Sequence, residues 1–398
     1  MKPIVFLVFP AHGHVNPTLP VVRELTARGR RVVYFCGEEF RENIEEAGAE
    51  FRRYAGPGIT GKNVRLLWNP VRFFCFLIQT ARKMSTVHLR EISRLTPACL
   101  VYDSLLAAGK IIAVKLNLPH VSSVTIPVFS GSGIKKLLSL KTILTEFGRN
   151  LPQLFLAAVS LCVIRLRHGV TLDPFTVVQN EAPLTLVYTS RFFQPGAESL
   201  GEHFCFVGPN IAARPRDASF PLARLAGKKV VTVSFGTILH EQRAVYRTCI
   251  KLLKDTIYQV VLVTGPNHDR RTLEPVPRNF IIRERIPQLE VLERTGVFLT
   301  HGGMNSVQEA LYYGVPLIVF PQTPEQEYIA DRVEELGAGV RIRSLAGLEA
   351  VFRHLPDFLD ADAPYRRAAA GISRTLRDAG GYRKAADLIV RYGQSDKQ

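Results

Sequence analysis

The stretch VFLTHGGMNSVQEALYYGVPLIVFPQ, Val297 to Gln322, decides the fold. The apolar run VFLT predicts a buried strand, and two glycines end it. NSVQEALYY then repeats its apolar residues at helical spacing, and VPLIVF follows as a second apolar run. A strand, a helix and a further strand joined by short turns predict a βαβ unit of a parallel sheet.

The same alternation runs along the rest of the chain. Before it come IVFLVF, VVYFC, ACLVYD and HVSSVTI as strand runs with helical patterns between them, and VVTVSFG restarts the series after a turn-rich, charged stretch, GPNIAARPRDASFPLARLAGKK. We therefore predict the α/β class, with two doubly wound Rossmann-like domains whose parallel sheets face each other across a cleft. The predicted boundaries are a first domain 1–207, a linker 208–228, a second domain 229–378, and a C-terminal helix 379–398 that packs back on the first domain.

The composition is that of a globular protein, with 398 residues, 46% hydrophobic and 22% charged. Six scattered cysteines without a CxxC predict neither a disulfide framework nor a zinc site, and indicate a reducing, cytoplasmic location. The start, MKPIVFLVFPA, fits a buried first strand better than a signal peptide. The most apolar segment, LFLAAVSLCVI (Leu154 to Ile164), is shorter than the roughly 18 apolar residues of a membrane span.

The charge is unevenly distributed. The formal net charge is +16, and residues 59–170 hold 15 Lys and Arg against three acidic residues. A basic surface attracts anionic ligands, nucleic acid or a membrane surface. A solvated, arginine-rich face would explain the same charge, so the pattern alone leaves the partner open.

Polar residues follow the strand that ends at Thr300. His301, Gly302 and Gly303 form the turn, and Asn305 or Ser306 is the predicted N-cap of the next helix, with Glu309 in its first turn. Glycines let the backbone approach a ligand, and the N–H groups and dipole of a helix start favour an anion. The pattern predicts a phosphate cradle, although an ordinary capped turn fits it as well.

Two further strand ends carry polar side chains. Glu325 and Gln326 follow VPLIVFPQTP and suit the hydroxyls of a sugar, while Glu325 would equally serve as an acidic residue at a helix N-terminus. The loop VSFGT, Val233 to Thr237, again places Gly and Thr after a strand. The carboxyl ends of parallel strands are where such sheets bind ligands.

In the first half, FPAHGHVNPTL follows the first strand. If Asn16 caps the helix and Pro17 takes its first position, His14 lies in the loop before it, and His12 lies closer to the strand. An imidazole has the right pKa to accept a proton from an attacking alcohol, and a carboxylate on its other nitrogen would fix the tautomer. Asp103 ends a strand that should lie near the first one. A surface histidine and a helix-capping Asp103 remain the plain alternative.

Four motifs together carry a family resemblance. HGHVNP, IPQLEVL, THGGMNSVQEALYYGVPLIVFPQTPEQ and GGYRKAADLI resemble the UDP-sugar-dependent glycosyltransferases of the GT-B fold, specifically the bacterial macrolide glycosyltransferase group, over nearly the whole chain. The resemblance implies inverting, metal-independent transfer of a hexose, glucose from UDP-glucose, with no cofactor. The implied acceptor is a hydroxyl of a hydrophobic macrolide, polyketide, flavonoid or terpenoid.

The resemblance also implies a role for each matching residue. His14 becomes the catalytic base and Asp103 its partner. The donor residues would be His301 at the β-phosphate, Gly303, Asn305 and Ser306 at the phosphates, Thr237 at the diphosphate, Glu309 at the ribose, Gln288 beside the nucleoside, and Glu325 with Gln326 at the hexose. Arg285 stands where the family usually has an aromatic residue on the base, which leaves UDP and TDP both open; a guanidinium plane can stack there.

Several interpretations remain open on the acceptor side. Trp68, Phe73, Phe74 and Phe129 could line an acceptor pocket or pack in the core. Because of the basic excess, a peripheral membrane enzyme that glycosylates a lipid remains an alternative. A UDP-sugar epimerase would share the architecture and is a second alternative. A nucleic-acid-binding protein would explain the charge but not the strand-end loops. We expect no nucleic-acid partner and a monomer or weak dimer. Asp360-Ala361-Asp362 resembles a metal-binding DxD but falls away from the strand ends, so no metal is predicted.

Overall fold

A computed structural model of the chain describes residues 2–56, 66, 69–129, 148–172, 177–212, 217–236, 242–265, 270–360 and 362–395. The chain divides into two compact units. Unit 1 comprises Met1–Ile211 and Ala379–Gln398, and unit 2 comprises Ala212–Asp378. The stretch 208–228, predicted as a linker, is divided between them after Ile211.

Unit 1 is built on a parallel sheet. Its seven described strands lie in the order β3-β2-β1-β4-β5-β6-β7. Their bounds are β1 Ile4–Leu7, β2 Val32–Cys36, β3 Glu50–Arg53, β4 Cys99–Asp103, β5 His120–Val124, β6 Leu184–Val187 and β7 Phe204–Phe206. Alternate residues of β1 face two different apolar clusters, Ile4 and Phe6 one and Val5 and Leu7 the other. Both faces of this sheet are therefore covered, as the uninterrupted apolar runs require.

Helices cover that sheet. The described helices of the first 211 residues are α1 His12–Ala27, α2 Arg41–Glu46, α3 Pro70–Leu95, α4 Ala107–Lys115 and α5 Leu151–His168. Residues Glu38–Phe40 form a short 3-10 turn that leads directly into α2. Helix α3 begins at Pro70, and the side chain of Asn69 just before it accepts a hydrogen bond from the backbone N–H of Arg72. Asparagine followed by proline is a strong helix start.

Unit 2 repeats the plan with six described strands in the order β10-β9-β8-β11-β12-β13, all parallel. The strands are β8 Val230–Ser234, β9 Gln259–Val263, β10 Phe280–Arg283, β11 Thr295–Thr300, β12 Leu317–Val319 and β13 Gly339–Arg341. The described helices are α6 Arg243–Leu253, α7 Gln288–Leu292, α8 Met304–Tyr312, α9 Pro324–Glu335, α10 Leu345–Arg353, α11 Pro356–Leu359 and α12 Pro364–Asp378. This strand order is that of a Rossmann-like, doubly wound sheet.

The last helix, α13 Gly381–Ser395, belongs to unit 1. Ala385, Ala386 and Ile389 join the apolar cluster that Val22 and Leu25 of α1 also enter. An ion pair between Arg28 and Asp387, with a distance of 2.5 Å, lies at the exposed edge of the contact between α1 and α13. Burial of the alanine and isoleucine side chains supplies most of the stabilisation, because an exposed ion pair contributes only about 0–1 kcal/mol.

Two predicted helix starts are wrong by a few residues. Helix α1 begins at His12, since the carbonyl of Ala11 accepts from the backbone N–H groups of both His14 and Val15, and Pro17 lies inside the helix. Asn16 is therefore not the N-cap, and His14 sits in the first turn of α1. Helix α8 begins at Met304 with Gly303 as N-cap, which moves Glu309 into the second turn.

Candidate active site

The ends of two neighbouring strands bring the first pair of predicted residues together in unit 1. Leu7 of β1 is aligned with Tyr102 of β4, so Asp103, the last residue of β4, reaches the edge from which the chain turns into α1. His14 comes back over that edge because α1 starts immediately after the turn. Adjacency of the two strands, not proximity in sequence, sets this geometry.

His14 and Asp103 form a buried pair. The distance from His14 Nδ1 to Asp103 Oδ2 is 2.7 Å, and the side chains are 11% and 0% exposed. The other carboxylate oxygen, Oδ1, accepts from the backbone N–H of Leu105 at 2.9 Å. Because an ionised carboxylate only accepts, His14 donates its Nδ1–H and carries the lone pair on Nε2. This arrangement can take a proton at Nε2 and stabilise the resulting imidazolium.

The neighbouring histidine is in a different environment. The ring of His12 is exposed and lies edge-on against Phe40, with 4.9 Å between ring centroids. The ring of His14 lies edge-on against Phe9 at 5.4 Å, over the buried end of the first strand. Of the two histidines in HGH, His14 therefore has the carboxylate and the packing that hold an imidazole in one orientation.

Thr125 is a site residue that the sequence did not reveal. Its Oγ1 lies 2.9 Å from His14 Nδ1, and the residue is 4% exposed. It follows β5, whose Ser123 is aligned with Asp103. The position of Thr125 at the end of the strand run HVSSVT, and so at the same sheet edge, could have indicated a site residue. Threonine is common in strands, however, so the run predicts only a strand.

The second predicted group lies at the end of β11 in unit 2. The imidazole of His301 is flanked by two glycines: a Cβ on Gly236 would lie 2.7 Å from His301 Cε1, and one on Gly303 would lie 2.6 Å from Nε2. Any side chain at either position would displace the ring, which is the physical reason for glycine there. Burial lowers the pKa of His301 to about 4, and a hydrogen bond with the backbone of Ser234 only partly opposes it. His301 is therefore a neutral imidazole near pH 7.

Helix α8 starts beside this ring, and its N-cap residue, Gly303, makes no side-chain cap. By contrast, Thr323 caps α9 and Ser344 caps α10 with their side-chain oxygens. Asn305 and Ser306 lie half-buried in the first turn of α8. A helix start without a side-chain cap leaves its backbone donors suited to an anion, which the dipole also favours.

The predicted ribose and nucleoside residues are in contact. Gln288, the first residue of α7, donates from Nε2 to Oε2 of Glu309 at 2.6 Å, and Glu309 is 8% exposed. The amide holds the carboxylate in one position, as hydroxyl recognition requires. Nearby in sequence, Oε1 of buried Gln326 accepts from the backbone N–H of Gln322 at 2.8 Å, and Glu325 is half-buried in the first turn of α9.

The remaining predicted site residues that the structure describes are not among the residues paired above. Arg285 is exposed between β10 and α7. Phe129 is buried, and Phe73 and Phe74 are half-buried against two apolar clusters, so core packing accounts for much of their surface. Thr237 and Trp68 lie outside the described residues.

The DxD motif shows no metal geometry. Asp360 pairs with Lys229 at 2.9 Å, and Ala361 lies outside the described residues. Within the part of the chain that the structure describes, no cluster of three or more His, Cys, Asp or Glu side chains could hold a metal ion.

Comparison with known proteins gives one consistent family. Residues 253–377 match the family described as Erythromycin biosynthesis protein CIII-like, C-terminal domain. The chain is 33% identical to an uncharacterized UDP-glucosyltransferase of Bacillus subtilis over 98% of its own length and 97% of that protein. It is 29% identical to the oleandomycin glycosyltransferase of Streptomyces antibioticus, over 95% of this chain and 88% of that one.

The fold agrees with a solved structure of the same kind. The glycotransferase of kitacinnamycin superposes with a TM-score of 0.83 at 28% identity, covering 98% of this chain and 99% of that one. The identity to a full-length UDP-glucosyltransferase, together with two Rossmann-like units, settles the family. The chain belongs to the macrolide-type glycosyltransferases of the GT-B fold, enzymes that use nucleotide sugars.

Proposed function

We propose that the enzyme transfers glucose from UDP-glucose to a hydroxyl of a hydrophobic small molecule, with inversion at the anomeric carbon and without a metal ion. The observation that carries the proposal is the buried 2.7 Å contact between His14 Nδ1 and Asp103 Oδ2. Such a pair supplies what an alcohol nucleophile lacks, a base whose conjugate acid is stabilised in place.

The base acts in a single displacement. Nε2 of His14 removes the proton as the acceptor oxygen bonds to the anomeric carbon, and the bond from that carbon to the diphosphate breaks on the opposite face. The positive charge that develops on the ring is stabilised by Asp103, which carries no proton itself. One displacement from the opposite face inverts the configuration.

The diphosphate that leaves gains negative charge, and unit 2 supplies donors for it. Since its pKa is lowered to about 4, His301 is a neutral imidazole with a single N–H, which donates to the backbone of Ser234 in this structure. We assign that N–H to the β-phosphate when the donor is bound. The uncapped start of α8 adds backbone N–H groups and the positive end of the helix dipole. We assign the charge stabilisation to these groups, in place of the divalent cation that other nucleotide-sugar enzymes use.

The choice of substrates rests on the relatives and on two residues. A UDP-glucosyltransferase relative supports glucose and uridine, and an oleandomycin glycosyltransferase supports a macrolide-like acceptor. The Glu309 carboxylate, held by Gln288, suits the two ribose hydroxyls of a uridine nucleotide. No disulfide joins the six cysteines, which supports a reducing compartment such as the cytoplasm.

A donor and acceptor panel tests the proposal. UDP-glucose, UDP-galactose and TDP-glucose are each incubated with macrolide, flavonoid and terpenoid alcohols, and products are found by mass spectrometry. We expect a hexoside from UDP-glucose, a β-anomeric coupling constant by NMR, and unchanged rates in EDTA. An α-glucoside or activity that EDTA abolishes would contradict the mechanism, and a new sugar isomer formed without acceptor would identify an epimerase.

A further inference from the structure

The outward face of α5 is an apolar surface that the transfer reaction does not use. Leu166 is 85% exposed, Phe155 69%, Leu151 60% and Leu156 52%. Leu151, Phe155, Cys162 and Leu166 follow one another at four, seven and four residues, so they line one side of the helix, and Leu156 flanks that side. Monomeric soluble proteins rarely expose contiguous apolar surface of this extent without a binding role.

The opposite side of α5 packs against other helices of unit 1. Ala157 and Ile164 enter an apolar cluster with Cys75 and Ile78 of α3 and Ile111 of α4. By length and composition, α5 could cross a membrane, and only 22% of its residues are buried, whereas the sequence predicted no such segment. Its packing on α3 along the inner face makes a spanning position incompatible with the fold. The outer face is thus available at the surface of a folded domain.

Basic side chains frame the apolar face at both ends. Arg72 donates to the side chain of Asn150, immediately before α5, at 2.7 Å, and exposed Arg149 lies one residue further back. Exposed Arg165 and Arg167 lie in the last turn. The helix contains no Asp or Glu, and residues 59–170 hold 15 basic residues against three acidic ones. One of those three, Asp103, is fully buried under His14.

This charge pattern distinguishes between possible occupants. A second copy of the chain would bring the same arginines against each other, in a protein whose formal net charge is already +16. An anionic surface would pair with them and also accept the apolar residues between them. We propose that α5 docks in the plane of an anionic lipid bilayer, with Phe155 and Leu166 in the acyl boundary and the flanking arginines at lipid phosphates.

The inference extends beyond the transfer reaction and does not depend on it, because membrane docking can be measured without substrates. Docking would present a domain that carries the catalytic base to amphiphilic alcohols dissolved in the bilayer. The acceptor class, unlike the docking itself, rests on the proposed function, and docking then points to a hydroxylated lipid or lipid-soluble alcohol.

Cys162 gives a direct probe of the face, because Cys36, Cys75, Cys99 and Cys249 are buried and Cys205 is half-buried. A polarity-sensitive fluorophore on Cys162 of the full chain is titrated with vesicles of phosphatidylcholine alone or with 30% phosphatidylglycerol. We expect a blue shift and quenching by spin-labelled acyl chains only with the anionic vesicles. High salt should weaken the shift, because it screens the arginines. An emission spectrum that no vesicle changes would overturn the proposal.

Vesicle co-sedimentation of variants assigns the binding to α5. We expect Phe155→Ser with Leu166→Ser to lower partitioning at least about tenfold, since each loses a large inserted side chain. Arg165→Glu with Arg167→Glu should lower it by a similar factor at low salt. Ile257→Ser, which changes another exposed apolar residue (78% exposed) in unit 2, is the matched control and should bind as the parent does.

Two results would overturn the assignment. One is vesicle binding that persists unchanged in both α5 variants. The other is a concentration-dependent dimer, seen by size exclusion with light scattering, that Phe155→Ser with Leu166→Ser dissociates while vesicles bind none of the proteins. Thermal melting of each variant confirms that it is folded, and unchanged transfer to a water-soluble alcohol shows that the reaction itself is intact.

Discussion

His14 in unit 1 and His301 in unit 2 both come from the carboxyl ends of parallel strands, but their surroundings give them opposite properties. His14 has the Asp103 carboxylate at 2.7 Å. His301 has a backbone hydrogen bond with Ser234, two close glycines, and a pKa lowered by burial to about 4. A carboxylate partner stabilises an imidazolium, whereas burial alone keeps the ring neutral. The same side chain is therefore suited to be a base in one unit and a neutral hydrogen-bond donor in the other.

The largest expected effect is at the base. His14→Ala should lower kcat by about 10³-fold or more, since general base catalysis of this kind contributes roughly 10²–10⁴-fold. UDP binding, measured by calorimetry, should be unchanged, because the donor groups are in unit 2. The variant leaves Asp103 buried without its partner, which costs about 3 kcal/mol of stability, so assays belong well below its melting temperature.

Two further variants separate chemistry from folding. His14→Gln keeps a side chain that can donate to Asp103, and should be as inactive as His14→Ala but more stable. His12→Ala changes the exposed ring of the same motif and should retain full activity. Transfer at the parental rate by His14→Gln would remove His14 from the mechanism.

The second-largest effect on kcat is expected when the carboxylate of Asp103 is replaced. Asp103→Asn should lower kcat about 10²–10⁴-fold with little change in the KM for UDP-glucose, because an amide can present its N–H to the ring and favour the wrong tautomer. Far-ultraviolet circular dichroism and melting confirm folding. A variant with near-parental kcat would reduce Asp103 to a structural residue that binds the backbone N–H of Leu105.

At the other histidine the expected loss is one of binding. His301→Ala removes one hydrogen-bond donor to the diphosphate, and a hydrogen bond to a charged group is worth about 1.5–3 kcal/mol, or roughly 10- to 150-fold in affinity. The Kd for UDP, measured by calorimetry, should rise within that range. If UDP affinity is unchanged and only the pH profile of kcat moves, His301 would be acting as an acid or base instead.

The lowered pKa of His301 also predicts a pH effect on stability. The ring is neutral in the folded state down to about pH 4, whereas in the unfolded chain it takes up a proton near pH 6.5. The contribution of His301 to the free energy of unfolding is therefore fully present above pH 6.5 and decreases as the pH falls from 6.5 towards 4. His301→Gln cannot take up that proton, so its unfolding free energy should fall less than the parent's between pH 7 and pH 4.5 in urea titrations. Equal slopes would show that the ring is not buried in its neutral form.

Sequence reasoning reached the parts of the site that depend on strand order and failed where three-dimensional neighbours decide. His14 and Asp103 could be paired because apolar runs mark β1 and β4 and parallel strands end at one edge. The start of α1 was misplaced because Asn16-Pro17 is a strong local capping signal, while the actual start depends on the carbonyl of Ala11. The run Leu154 to Ile164 is by itself shorter than a membrane span, whereas α5 extends from Leu151 to His168 and is 22% buried, and burial cannot be seen in a one-dimensional apolar run.

Thr125 is the residue that pattern alone could not supply, and it gives the smallest expected effect. Its hydroxyl shares the Nδ1–H of His14 with Asp103, at 2.9 Å against 2.7 Å. Thr125→Val keeps the shape of the side chain and removes a neutral hydrogen bond worth about 1 kcal/mol, so kcat should fall only about fivefold. Because the ring would then lose one of the two hydrogen bonds at Nδ1, the apparent pKa in the kcat profile should also shift, which a purely structural role would not cause. Thr125→Ser, which restores the hydroxyl, should recover both the rate and the pH profile; if it recovers neither, the packing of the methyl group is what matters at this position.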